Sequence, residues 1–154
     1  MKKLILLFLF ASGISQAQMP NIAKVWTNDN NPYNGSFGKA KTLKISIESS
    51  EQNKQNDQEY IISGISSHLE NSHKFEGHLL IKKYRDSKKG GKIFGEYGIE
   101  EENKKQNSGW YTGKFVFTFD WDEKLKQITN KKIEFKGKWT DYSTNLEQKT
   151  YWRN

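Results

Sequence analysis

Ile62-Ser63-Gly64-Ile65-Ser66 is the first of five copies of one pattern. The others are Phe75-Glu76-Gly77-His78-Leu79, Ile93-Phe94-Gly95-Glu96-Tyr97, Tyr111-Thr112-Gly113-Lys114-Phe115 and Phe135-Lys136-Gly137-Lys138-Trp139. Each opens on a large apolar residue and places glycine third. Residues two apart share a face of a β-strand, so the first, third and fifth positions of every copy point the same way. The second and fourth positions are mostly charged or polar, as the solvent face of a half-buried strand requires.

Between the copies lie polar, turn-forming stretches at Leu69–Ser72, Arg85–Gly91 and Glu102–Ser108. If neighbouring glycines are set opposite one another in antiparallel pairs, every hairpin tip falls in a connection of this kind or in 121–128. The expectation is therefore one row of inward glycines across five consecutive antiparallel strands. Glycine permits the sharp coiling that closes a sheet, and such a row suits a barrel.

Working outward, Thr42–Ser49 alternates cleanly, with Leu43, Ile45 and Ile47 on one side. Strands are expected at 42–49, 59–67, 73–84, 92–101, 109–120, 131–142 and 149–153, and a short one around 23–27 carries Trp26. Glu51–Gln58 has no apolar residue and reads as a loop. Asp120 and Glu123 form a capping box, and Trp121, Leu125 and Ile128 share a helical face, so a short helix is expected near 121–128. Tyr33-Asn34-Gly35-Ser36-Phe37 resembles a sixth copy but falls outside the register, and it is read as lead-in. The fold class is all-β, an antiparallel up-and-down barrel of about eight strands, with a two-sheet sandwich as the alternative.

Lys2 and Lys3 precede an apolar run from Leu4 to Phe10, followed by Ser15-Gln16-Ala17. That is the build of a signal peptide over 1–17, with the chain exported to a periplasm or the exterior. The run is too short to span a membrane. Residues 18–38 form the lead-in segment, and 39–154 a single barrel domain large enough to bury its own core. The absence of cysteine excludes a disulfide framework and a thiol nucleophile. The net charge of +7 arises largely from lysines interspersed with glutamates, so it indicates a solvated surface and gives no reason to expect a nucleic-acid partner.

The register divides the interior into two ends. Ile62, Leu79, Ile81, Ile93, Phe115, Phe117, Ile133 and Phe135 make an aliphatic and aromatic end, which the helix at 121–128 would plug. Ser66, Phe75, Tyr97, Tyr111 and Trp139 lie towards the other end, with His68, His73 and Asp141 beyond them. An apolar cup rimmed by polar tips is the form of a small-ligand site, and aromatic walls suit flat ligands. Ser66, His73, Phe75, Tyr97, Tyr111, Trp139 and Asp141 are the candidate ligand-binding residues.

His68 and His73 face each other across a turn, with Asp141 on the same rim, but no metal-ligand spacing accompanies them, and neither a metal nor a cofactor is assigned. Asp120, Asp122 and Glu123 lack the glycine and length of a calcium loop. No serine has a nucleophile-elbow context. Glu76, Glu96 and Glu134 face outwards, leaving Asp141 and Glu101 as the carboxylates near the rim for any sugar chemistry, with His73 and Tyr111 beside them. The reading is a binding protein for a small hydrophobic or aromatic ligand. A protein-interaction module using the loops is the alternative, and a carbohydrate enzyme ranks third.

Trp26 near the first strand, Thr140-Asp141-Tyr142 late in the chain and Arg153 at the end resemble the Trp, Thr-Asp-Tyr and Arg elements of lipocalins. The chain is similar in this to the lipocalin- and avidin-like small meander barrels. The resemblance implies a barrel with a central pocket for an apolar or flat ligand, and it assigns no functional residue.

Overall fold

A computed structural model describes residues 20–39, 41–102 and 106–154; the segment read as a signal peptide lies outside them. The chain forms a short helix α1 (Ala23–Trp26), a 3-10 turn (Asn28–Asn30) and eight strands. The strands are β1 (Tyr33–Phe37), β2 (Lys41–Asn53), β3 (Asn56–His68), β4 (Asn71–Ser87), β5 (Gly90–Glu101), β6 (Gly109–Asp122), β7 (Gln127–Asp141) and β8 (Glu147–Arg153). Every neighbour pair is antiparallel, the order is up-and-down, and β1 pairs with β8 so that the sheet closes on itself. The β1–β8 pairing closes the ring, while β2 beyond Ile45 and β7 before Glu134 have no strand partner on that side among the described residues.

The glycine positions share the inward face as expected, but they do not form a level row. Gly113 faces Gly137. Gly64, however, faces Phe75, Gly77 faces Ile99, and Gly95 faces Phe115. The displacements are even numbers of residues, so the inward parity survives while the row becomes a stagger. Strands must tilt and shear to close a barrel, and a level row is incompatible with that tilt. Bulges between Ile47 and Ser49, Ile81 and Lys83, and Thr118 and Asp120 add further coiling.

The pair Gly113 and Gly137 shows why side chains are absent there. A Cβ on Gly137 would overlap the Thr112 carbonyl oxygen and come within 2.8 Å of Gly113 Cα and Tyr97 Oη. Backbone cannot yield as a flexible side chain can. Gly137→Ala is expected to cost about 1–3 kcal/mol, the usual range for overpacking. Gly98→Ala, where a Cβ would meet only the His78 ring, should cost less. Urea melts of the two variants compare them directly; equal midpoints would refute the close-approach argument.

Four local expectations change. Residues 121–128 are not helical: Trp121 pairs with Ile128 across a tight turn that extends β6 and β7. Asp122 Oδ1 accepts the N–H groups of Lys124 and Leu125, both at 2.9 Å, so the would-be capping chemistry folds a turn instead. The segment 23–27, expected as a strand, contains α1, and the eighth strand of the barrel is the sixth glycine copy at Tyr33–Phe37. Residues 51–58 are mostly strand, with the β2–β3 turn confined to its middle.

The end expected to be plugged by a helix at 121–128 is closed by α1. Trp26 is fully buried against Tyr60, Phe115 and Phe117, with ring centroids 5.7, 5.2 and 5.7 Å away in edge-on geometry. Its carbonyl accepts a hydrogen bond from Tyr33 Oη at 2.8 Å, and the Ile22 N–H donates to Tyr60 Oη at 3.1 Å. The waist above is filled by rings. Phe135 stacks on Trp152 at 3.5 Å, and Tyr33 and Tyr97 stand edge-on to both at 5.3–5.5 Å.

Candidate functional site

The opposite end of the barrel is organised by a buried carboxylate. Inward parity along β5 runs Tyr97, Ile99, Glu101, so the last residue of the strand turns its charge into the interior. The Glu101 side chain has no exposed surface. A buried charge of this kind is costly unless it is paired and hydrogen-bonded.

Five groups satisfy it. Oε1 accepts from Ser66 Oγ in a short hydrogen bond, from His68 Nε2 at 3.1 Å and from Tyr111 Oη at 3.2 Å. Oε2 accepts from the Gly109 N–H at 2.9 Å and from the Trp139 indole N–H at 3.0 Å. Ser66 and His68 come from β3, Gly109 and Tyr111 from β6, and Trp139 from β7. Burial pushes the Glu101 carboxyl upward, but the bonds from His68, Ser66 and Trp139 outweigh it and hold the group below the ordinary glutamate range. Tyr111 moves the other way: burial first, and then the adjacent Glu101 charge, raise its phenol well above the usual tyrosine value.

His73, near the start of β4, lies directly across from Ser66. Its ring lies 5.5 Å from that of His68, and His68, His73 and Glu101 each offer a donor atom within 4.8 Å of the others. Phe37, at the end of β1, stacks on His68 at 4.5 Å and 10°, and Trp139 meets His68 edge-on at 5.0 Å. These two rings form the roof of the polar cluster.

Above the roof is a cavity of about 340 Å³ lined by Phe37, Leu69, Trp139 and Leu146, with Lys39 and Asp141 among its polar residues. Leu69 and Glu70 form the two-residue β3–β4 turn, both with positive φ (50° and 65°), the geometry of a hairpin turn that asparagine and glycine usually supply.

The residues proposed from sequence are distributed as follows. Ser66, His73, Tyr111 and Trp139 gather around Glu101. Trp139 and Asp141 line the mouth cavity. Phe75 is buried in the wall, beside Gly64 on β3. Tyr97 belongs to the waist, against Phe135 and Trp152, away from the mouth. Asp141 Oδ1 accepts from Ser143 N–H and Oγ and from Thr144 N–H, at 2.7, 2.6 and 2.9 Å, so its carboxylate holds the β7–β8 turn. Those bonds, led by Ser143, keep it below the usual aspartate range. The sequence reading placed Glu101 near the rim only as a carboxylate for sugar chemistry. The parity of β5 was the signal for its central place.

Comparison with family models, curated proteins and solved structures gave no match. Among the described residues, no helix is long and apolar enough to cross a membrane.

Proposed function

We propose that this is an exported small β-barrel protein that binds a small hydrophobic or aromatic ligand at the barrel mouth. The observation that carries the reading is the asymmetry of the two ends. One is sealed by Trp26, whereas the other presents an apolar cup of Phe37, Leu69, Trp139 and Leu146 above a fixed polar floor. Leu146 is 64% exposed, an apolar cost that a ligand seated in the cup would relieve. The floor offers no free catalytic carboxylate, since Glu101 is engaged by five donors; this supports binding over catalysis. The up-and-down closed sheet and the aromatic plug support the likeness to lipocalin- and avidin-type barrels. The filled waist confines any ligand to the mouth.

Anilinonaphthalene sulfonate, an aromatic probe with an anionic end, tests the site. Its binding should quench the mouth tryptophan, Trp139. The double variant Leu69→Gln, Leu146→Gln should weaken it at least about tenfold, the effect of losing roughly 1.4 kcal/mol of contact. Both leucines sit in turns, so the urea midpoint should hold. Unchanged affinity in that variant would sink the mouth as the site. The filled waist also favours the second reading, an interaction module using outer loops. That reading gains if the probe fails to bind and a protein partner is captured instead.

A further inference from the structure

We propose that His68, His73 and Glu101 form a binding site for one divalent transition-metal ion of the zinc class. The inference goes beyond ligand binding at the mouth and does not depend on it, because the three donors lie beneath the roof of Phe37 and Trp139. Two imidazoles and a carboxylate are a donor set that suits zinc and its neighbours, whereas calcium and magnesium prefer oxygen alone.

The distances support this. His68 Nε2 lies 3.1 and 3.4 Å from the two Glu101 oxygens. Two ligands held at about 2.0–2.2 Å from a common tetrahedral ion stand roughly 3.4 Å apart. A cation can therefore replace the proton now shared between His68 and Glu101 with little movement of either. His73 completes the set: its donor atom is within 4.8 Å of the others. Two such bonds reach about 4.2 Å in line, so donors up to 4.8 Å apart close on the ion with a small side-chain movement. Three protein donors leave a fourth position to water.

One further feature points the same way. Glu101 is already oriented by Ser66, Tyr111, Trp139 and the Gly109 N–H, the outer-shell support that metal carboxylates depend on. Access runs through the mouth cavity, where Phe37 lies over His68 at the strand end.

The test uses the mature chain stripped with a chelator and titrated with cobalt(II) chloride. One equivalent should bind, giving the visible bands of tetrahedral cobalt, and zinc chloride should displace it. His73→Leu fills the buried volume without a donor and should lose more than the 10–100-fold that removing an outer-shell partner costs. His78→Ala, on the outer wall, should bind normally. Absence of the bands, or their survival in His73→Leu, would overturn the site. Should His73→Leu fail to fold, imidazole nitrogen NMR of the unaltered protein decides. Shifts at His68 and His73 on adding zinc chloride support the proposal, and shifts at neither, or at His78 alone, reject it.

Discussion

Glu101→Gln is expected to lower unfolding free energy by about 3–5 kcal/mol, the cost of breaking one side of a buried charged network. The substitution keeps the shape and removes the charge. One oxygen becomes an NH2 group that can only donate, yet the groups around it are themselves donors: Ser66, His68, Tyr111, Trp139 and the Gly109 N–H. At least two of them must lose their acceptor where the Glu101 side chain has no exposed surface, and hydrogen bonds to a charged group contribute about 1.5–3 kcal/mol each. Glu100→Gln, one residue earlier on the exposed face of the same strand, should stay within about 0.5 kcal/mol of the parent. Urea unfolding with a common slope measures both. If the two variants melt together, the carboxylate is not what organises this end of the barrel.

The same network shows how far the sequence could be read. Inward and outward parity was legible at Ile62, Leu79, Ile93, Phe115, Phe135 and Trp139, all buried, because a strand alternates with a period of two whatever its partner. The pairing of Gly64 with Phe75, in place of Gly77, was not legible. Register depends on barrel tilt and on bulges at Ile81/Lys83 and elsewhere, and a local pattern carries neither. Glu101 illustrates the other limit. Its side-chain partners Ser66, His68 and Trp139 lie 33 to 38 residues away in the chain, so only the assembled barrel brings the donors to the acid. At 121–128 the helical pattern was present, but Asp122 capped a turn and the β6–β7 ladder continued into it. At 23–26 a four-residue helix is too short to have a readable period, and the buried Trp26 was assigned to a strand.

That last residue carries the second large effect. Trp26→Ala should destabilise the barrel by about 3–5 kcal/mol, as aromatic truncations in cores do. A lead-in segment attached to a complete barrel would tolerate the change; a plug would not. Trp26 has no exposed surface, and its indole closes the floor over Tyr60, Phe115 and Phe117. Removing it leaves three rings facing a void and loosens the chain from Pro20 to Asn31, whose other polar ties to the barrel are few: Tyr60 to the Pro20 carbonyl, Ile22 to Tyr60, Tyr33 to the Trp26 carbonyl and Lys131 to Asp29. Trp26→Phe keeps an edge-on ring there and should recover more than half of the loss. The variant should also expose the N-terminal segment to protease at a concentration that leaves the parent intact, while the closed sheet itself resists. If Trp26→Ala melts with the parent and its N-terminus stays protected, the floor of the barrel is made by Phe115 and Phe117 alone, and the contrast between a sealed end and an open one disappears.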